Sequence, residues 1–302
     1  MLSGDFMRKP KPFAAKKAAS PEKKKASAAS AMAILARKEV IMFLVLAFGF
    51  SSIFYYLNAT AKDTQSLTIF TVALMWCPAL AAIITRLWCQ RNLRGFGFGP
   101  GDVRWLLVGI FLPLFVGLLM FGSMWLTGIG PFNSAGAARV LALSFLPAFL
   151  SALAFNLFAA LGEEIGWRGL LVPELSKFMG FTQLALLSGA IWAVWHLPLV
   201  IFGQYHGIGP LWFSLLVFIP QVTAAGVVLA WLRLKSGSVW VAVLFHGFWN
   251  LFIQQIYPAL TVRSPASEMI TGEFGWLGAL LWVLIALVLW HYRDRLPKPA
   301  LN

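Results

Sequence analysis

Residues 150–171 read LSALAFNLFAALGEEIGWRGLL, so a long apolar run leads directly into two acids and an arginine, Glu163, Glu164 and Arg168. His196 follows in the apolar stretch IWAVWHLP, and His246 and Asn250 follow in the stretch FHGFWN. An ionisable side chain in the hydrocarbon of a bilayer costs about 2.5–3.5 kcal/mol on insertion scales, so such residues are rare and usually have a partner or a function.

The composition identifies a polytopic membrane protein. Of 302 residues, 60% are hydrophobic and 12% are charged, with a mean hydropathy of +0.78. Globular domains are about 45–50% apolar and about 25% charged. The net charge of +13 lies at the N-terminus and in short connections rather than on a folded basic face, which argues against a nucleic-acid partner. Membrane lipid is an expected partner of the protein; the basic arm is interpreted as a solvated tail, with contact to anionic lipid headgroups as the alternative.

Eight apolar runs predict eight transmembrane helices, because each is near the 20 residues that span a bilayer. Backbone groups in lipid need internal hydrogen bonds, so each run is interpreted as a helix and the fold class as all-α. The predicted spans lie at about 40–58, 68–88, 104–127, 138–161, 181–202, 210–232, 238–256 and 275–291.

Lysine and arginine predict the orientation and the domain boundaries. With the N-terminus inside, only Lys62, Arg139 and Arg263 of the 24 basic residues fall on the outer side, so we expect both termini in the cytoplasm. The protein is therefore expected in the cell (inner) membrane. Residues 1–38, rich in lysine, predict a disordered cytoplasmic tail. Residues 39–292 predict the membrane domain, and 293–302 a second cytoplasmic tail.

Helical spacing gives the two adjacent acids different partners. Positions i and i+4 share a face, so Glu164 and Arg168 are expected to pair. Glu163 points about 100° away and is free to face another helix. We therefore expect Glu164 to have a supporting role and Glu163 to take part in the chemistry.

The same spacing links the remaining polar residues in pairs. Trp192 and His196 share one helix face, and so do His246 and Asn250, which could both hydrogen-bond one oxygen. Gly247 permits close approach by a neighbouring helix. Taken singly, each histidine could be a structural group, but their joint occurrence on separate helices favours a site.

A metal is an open question in the sequence. Glu163, His196 and His246 with a water would match a catalytic zinc set, so these three are the candidate ligands of a divalent metal. The spacing is not HExxH, and the amide of Asn250 is a poor ligand. A site without a cofactor therefore stays as the alternative.

At these residues the chain resembles the CAAX-protease and bacteriocin-processing family of intramembrane proteases. The family carries the motifs EExxxR, FxxxH and HxxxN on separate helices of an eight-helix membrane fold. Here they read EEIGWR from Glu163, WAVWH from Trp192 and HGFWN from His246. Tryptophan stands where phenylalanine is usual, and the resemblance covers about residues 140–257, the protease-like core.

The resemblance implies hydrolysis of peptide bonds in or beside the membrane. Glu163 would be the general base, and His196 would help to hold and activate the water. His246 and Asn250 would stabilise the oxyanion or complete the water site, while Glu164 and Arg168 would support the site. The family is commonly labelled metalloprotease, although a glutamate and histidine mechanism without metal is also compatible with it. The implied substrates are peptides or membrane-tethered proteins.

Three further expectations follow. The Glu163–Glu164 pair is expected at the inner end of the fourth helix, so a cavity open toward the cytoplasmic leaflet is predicted. A non-catalytic immunity or regulatory protein of the same fold is the first alternative function. A proton-coupled transporter is the second, because buried Glu and His also line ion paths, although no internal repeat is visible.

Overall fold

The computed structural model describes residues 21–142, 145–203 and 205–297. These residues form helices and no named strand, with one isolated antiparallel bridge between Phe132 and Thr261. The all-α, polytopic class predicted from the sequence is confirmed. The α-helices are α1 Pro21–Thr60, α2 Thr64–Gln90, α3 Val103–Thr127, α4 Ser134–Leu141, α5 Phe145–Glu164, α6 Val172–Ser176, α7 Phe181–Phe202, α8 Leu211–Ser236, α9 Trp240–Leu251, α10 Tyr257–Ala259, α11 Pro265–Ile270 and α12 Trp276–His291.

In the described ranges, six helical spans are long and apolar enough to cross a membrane. The other two of the eight predicted spans are not among these six. The span predicted at 275–291 is the shorter apolar helix α12, and the span predicted at 238–256 is α9, which continues through the π-helix Phe252–Ile256 into α10. The six long spans are Ser27–Thr60, Thr64–Gln90, Val103–Thr127, Leu146–Ser176, Phe181–Phe202 and Leu211–Ser236.

The first helix begins much earlier than predicted. It starts at Pro21, so the prediction of a disordered tail over residues 1–38 is wrong for residues 21–38, and residues 1–20 lie outside the described part of the chain. Residues 21–38 contain many Ala and Lys, which are strong helix formers, and proline is favoured at a first helical position. The guanidinium of Arg37 lies 5.2 Å from the ring of Phe178, which attaches this extension to the bundle.

The fourth predicted span also differs from the structure. Its first residues form the separate short helix α4, and α5 runs on through a π-helix, Ile165–Leu171, into α6. The prediction that the Glu163–Glu164 pair ends this span is therefore wrong, because the pair lies inside the continuous span Leu146–Ser176. Single-turn π segments inside helices are frequent at functional sites.

Glycines allow the helices that carry the predicted motifs to pack closely. A Cβ atom on Gly226 of α8 would lie 2.5 Å from the Cα atom of Gly189 of α7. A Cβ atom on Gly247 of α9 would lie 2.7 Å from Leu157 of α5. A side chain at position 226 would collide with the backbone of α7, and one at position 247 would require Leu157 to move, so both glycines favour close packing, as expected for Gly247 from the sequence.

Successive spans alternate in direction, which gives the bundle two distinct ends. What we term the loop end carries the connections at residues 61–63, 128–133, 205–210 and 260–275, joined by contacts such as Asn133 N to Leu260 O at 2.8 Å. What we term the basic end carries the connections at 91–102, 177–180 and 237–239, joined by Val239 N to Gly97 O at 2.9 Å.

A buried ion cluster fastens the helices at the basic end. Arg86 of α2 lies 3.3 Å from Glu39 of α1 and 2.9 Å from Glu174 of α6, and all three side chains are buried. Lys177 lies 2.6 Å from Glu174, and the amide of Gln90 donates to Glu39 at 2.6 Å. One guanidinium therefore neutralises acids from two other helices.

Replacing Arg86 by methionine should destabilise the fold strongly. Removing one partner of a buried ion pair leaves uncompensated charge and costs about 3–5 kcal/mol. Thermal unfolding of the detergent-extracted protein measures the loss. Arg104→Met is the matched control, because Arg104 pairs with Asp102 at the surface with 85% of its side chain exposed, and should change little. Equal unfolding temperatures for the two variants would contradict a stabilising role for the cluster.

Candidate functional site

The carboxylate of Glu164 links α9 to its own helical span through two hydrogen bonds. Its Oε1 atom accepts hydrogen bonds from Nη1 of Arg168 at 3.0 Å and from Nδ1 of His246 at 2.9 Å. The pairing of Glu164 with Arg168 predicted from helical spacing is present. The contact with His246 adds a link from α5 to α9 that the spacing of residues within one helix could not reveal.

Glu163 points toward α7, as its offset from Glu164 predicts. Its Oε2 atom accepts a hydrogen bond from the indole Nε1 of Trp192 at 2.8 Å. The guanidinium of Arg168 lies 4.1 Å from the centre of the Trp192 ring, within the range of a cation–π contact. Trp192 therefore contacts Arg168, the partner of Glu164, with the face of its ring. It donates its indole N–H to the other acid, Glu163.

In both buried histidines the ring nitrogen Nδ1 has a partner within the protein. Nδ1 of His196 lies 2.8 Å from the carbonyl oxygen of Trp192, and Nδ1 of His246 is bonded to Glu164. Because a carbonyl and a carboxylate only accept, each Nδ1 carries the hydrogen. Nε2 of each neutral imidazole is then a proton acceptor, and it becomes a donor when the ring is protonated.

One cavity of about 320 Å³ brings together the four predicted catalytic residues, Glu163, His196, His246 and Asn250, and the supporting residue Trp192. Glu164 and Arg168 are not part of its lining and lie behind it. The volume is at the lower end of the range for ligand sites, and most of the lining is apolar. The geometry therefore separates groups that can touch a ligand from groups that hold them.

The cavity extends toward the loop end of the bundle. Its lining includes Asn58 near the end of α1, Leu67 near the start of α2, and Tyr205 and Glu273 from two connections at that end. The ion cluster of the basic end does not contribute to it. The predictions of cytoplasmic termini and of a cavity open to the cytoplasm cannot both hold, because the basic connections lie at the opposite end.

The motifs did not include several polar residues of the lining, among them Tyr205, Gln254 and Glu273. Gln254 lies four residues after Asn250 and eight after His246, so continued helical spacing would have found it. Tyr205 and Glu273 lie in connections, where no period in the sequence indicates the direction of a side chain.

The three candidate metal ligands, Glu163, His196 and His246, line the same cavity. In the described ranges no group of three or more His, Cys, Asp or Glu side chains is placed to hold a metal ion as the side chains stand. The bond of Glu163 to Trp192 and the Nδ1 contacts of the two histidines leave Oε1 of Glu163 and Nε2 of each histidine for a water or for a divalent ion. A histidine that ligates a metal usually donates its other ring N–H in this way, so the residues fit either ligand.

Comparison with known proteins agrees with the motifs. Residues 143–252 match the family model described as type II CAAX prenyl endopeptidase Rce1-like. The chain is also 32% identical over 152 residues to CAAX prenyl protease 2 of Methanococcus maripaludis, which covers 49% of this chain and 52% of that protein. The chain thus spans about half the length of the curated relative it matches. The family resemblance stated from the three motifs is confirmed.

Thiol labelling should show that the cavity is reached from the loop end. In a chain with Cys77 and Cys89 replaced by alanine, a cysteine at Gln254 should react with a membrane-impermeant maleimide added on one side of sealed vesicles. A cysteine at His206, in an exposed connection at the loop end, should react from the same side. A cysteine at Lys235 should react from the other side.

This comparison needs no knowledge of how the protein is inserted, because all three positions are measured in the same vesicles. Labelling of position 254 from the side that labels position 235 would contradict the assignment of the cavity to the loop end.

Proposed function

We propose that this chain, a member of the CAAX prenyl endopeptidase family through residues 143–252, is an intramembrane endopeptidase that hydrolyses peptide bonds with an activated water. The main support for this proposal is that side chains from α5, α7 and α9 line one cavity, namely Glu163, His196, His246 and Asn250. All four residues lie within the matched segment. An acid, two imidazoles and an amide can supply the proton transfers and the oxyanion contacts that peptide hydrolysis needs.

In the proposed mechanism Glu163 is the general base. With Oε2 occupied by Trp192, its Oε1 atom takes a proton from a water that Nε2 of His196 also holds. The oxygen of this water attacks the scissile carbonyl carbon, and the carbonyl oxygen becomes the oxyanion. Glu163 then returns the proton to the departing amine as the C–N bond breaks, so that water is added across the bond. No step is routed through a metal.

His246 and Asn250 are proposed to stabilise the oxyanion. The amide nitrogen of Asn250 is a donor in any protonation state, and Nε2 of His246 donates when the ring is protonated. Glu164, bonded to Nδ1 of His246, favours that protonated form because a negative charge lies beside it. Arg168 holds Glu164 in place through their ion pair.

The substrates are proposed to be peptides or membrane-tethered proteins. The cavity is buried between transmembrane helices and has a mostly apolar lining, so an extended, partly apolar chain suits it better than a folded soluble protein. We also propose that the protein resides in the cell membrane with both termini in the cytoplasm, because most lysines and arginines lie at the basic end. Nucleic acid has no role in this proposal.

Glu163→Gln should abolish cleavage while the protein stays folded. An amide of the same shape cannot take a proton from water, and loss of general-base catalysis typically lowers kcat by about 10²–10⁴-fold. Release of a fluorescent product from a reporter peptide measures kcat, and thermal unfolding in detergent measures folding.

The matched control is Glu268→Gln, the same chemical change in the α11 acid that pairs with Arg263 outside the cavity. Unchanged turnover in Glu163→Gln would remove Glu163 from the mechanism. Absence of cleavage by the unaltered protein, with a cellular effect that survives Glu163→Gln, would instead support a non-catalytic immunity or regulatory protein. Proton flux in liposomes that Glu163→Gln abolishes would support a transporter.

Trp192→Phe should lower kcat although it introduces the residue usual in the family motif. Phenylalanine keeps an aromatic ring beside Arg168 but removes the indole donor to Glu163, and a hydrogen bond to a charged group contributes about 1.5–3 kcal/mol. We expect kcat to fall about tenfold, since part of that contribution is retained through water.

Trp195→Phe is the control for this substitution. Trp195 lies on the same helix and is equally buried, but its indole donates to Ser51 at 2.8 Å rather than to an acid of the site. Equal losses of kcat in the two variants would show that packing, and not the bond to Glu163, explains the effect of Trp192.

A further inference from the structure

Glu273 is a carboxylate at the loop end of the cavity that only neutral donors contact. Its Oε2 atom accepts from the Tyr205 hydroxyl at 2.6 Å, and its Oε1 atom accepts from the Trp249 indole at 3.0 Å. The amide nitrogen of Gln254 lies 3.1 and 3.2 Å from the two oxygens. Among the described residues it forms no ion pair. Water alone would satisfy the hydrogen bonds of an exposed carboxylate. Three protein donors directed at one carboxylate indicate instead that the fold holds Glu273 in a defined position.

The donors to Glu273 lie next to two of the proposed catalytic residues. The ring of Tyr205 lies 6.2 Å from the ring of His196, measured between centroids. The Gln254 amide that reaches Glu273 also lies 3.5 Å from the Oδ1 atom of Asn250. One carboxylate therefore connects α9 with the connection that follows α7, and it does so beside both His196 and Asn250.

The direction of these bonds matters for the oxyanion contact. Because Gln254 presents its N–H₂ group to the Oδ1 atom of Asn250, the oxygen of the Asn250 amide is turned toward Gln254. The N–H₂ group of Asn250 is then the part available to a ligand in the cavity. Glu273 fixes the donor end of Gln254 and so sets the direction of the Asn250 amide.

We propose that Glu273 is a positioning residue of the peptidase site, which holds the Asn250 amide through Gln254 and the ring beside His196 through Tyr205. This proposal rests on the proposed function. Burial and the charge of Glu273 raise the pKa of the Tyr205 phenol well above its ordinary value, so this donor stays protonated at physiological pH. A carboxamide could not replace the carboxylate, because it has one acceptor oxygen and its own N–H₂ group would face a donor.

Kinetics of Glu273→Gln provide the first test. We expect kcat to fall about tenfold with KM changed less than twofold, because Asn250 loses its direction while the apolar lining that binds substrate remains. The unfolding temperature should stay close to that of the unaltered protein. Glu268→Gln, the same change in an acid outside the cavity, should leave kcat and KM unchanged.

Tyr205→Phe is the second variant, and it tests the proposal even if Glu273→Gln fails to fold. It removes one of the donors to Glu273 but keeps the ring beside His196, so kcat should fall less than in Glu273→Gln. Combining the two substitutions should lower kcat less than the product of the separate effects, since both act on one bond. Multiplicative effects, or an unchanged kcat in folded Glu273→Gln, would overturn the proposal.

A spectroscopic test separates this proposal from the proposed function. The chain has four histidines, so ¹⁵N labelling of histidine in a His206→Gln, His291→Gln background leaves only His196 and His246. Glu273→Gln should shift the ring signals of His196 and leave those of His246, which Glu164 holds, in place. Glu268→Gln should shift neither.

Unshifted His196 signals in a folded Glu273→Gln variant would overturn the positioning role whether or not the protein cleaves peptides. Shifted His196 signals in a protein that cleaves no peptide would refute the proposed function and keep the contact between Glu273 and the His196 environment. The two failures are therefore distinguishable.

Discussion

The hydrogen bonds that join Arg168, Glu164 and His246 are the constraint on which the centre of this structure depends. All three side chains are buried among apolar helices, where an unpaired polar or charged group is costly. A single oxygen atom of Glu164 accepts from both basic groups, one on its own helical span and one on α9. The helices cannot separate or slide at this level without leaving the buried imidazole of His246 without its partner.

This constraint also determines what the neighbouring acid can do. Because Glu164 takes both basic partners, Glu163 is left with the neutral indole N–H of Trp192 and an open side facing the cavity. A carboxylate without a cationic partner is free to exchange a proton with water, whereas one fixed between two bases is suited to holding them. Adjacent, chemically identical residues thus differ in their use because a helix turns about 100° between them.

Helical spacing predicted the parts of the site that lie within one helix, and it could not predict the contacts between helices. The pair Glu164–Arg168 and the shared face of His246 and Asn250 followed from i, i+4 positions. The bond from His246 to Glu164, and that from Trp192 to Glu163, depend on how α5, α7 and α9 pack. Glu273 could not be identified at all, since its direction comes from the fold of a connection.

The errors at the helix boundaries have a related cause. The polar and glycine residues at 162–169 interrupt the apolar pattern, so the pattern predicts an end near residue 161, although packing of the following segment against α1, α2 and α7 keeps it helical through Ser176. In the first helix the opposite occurs, because the basic residues before 39 carry no apolar run and yet have high helix propensity. Hydropathy marks which residues lie in lipid, and it does not mark where a helix begins or ends.

The position of the acids within the span has a consequence for access. Had Glu163 been at the end of its helix, charge bias and cavity would have indicated the same side of the membrane. Because the span continues for twelve residues beyond Glu164 to Ser176, and because Tyr205 and Glu273 complete the cavity from the loop end, the open side is opposite the buried Arg86 cluster. The proposed orientation, with the basic end in the cytoplasm, therefore implies that a substrate of the proposed peptidase would reach Glu163 from the non-cytoplasmic half of the bilayer.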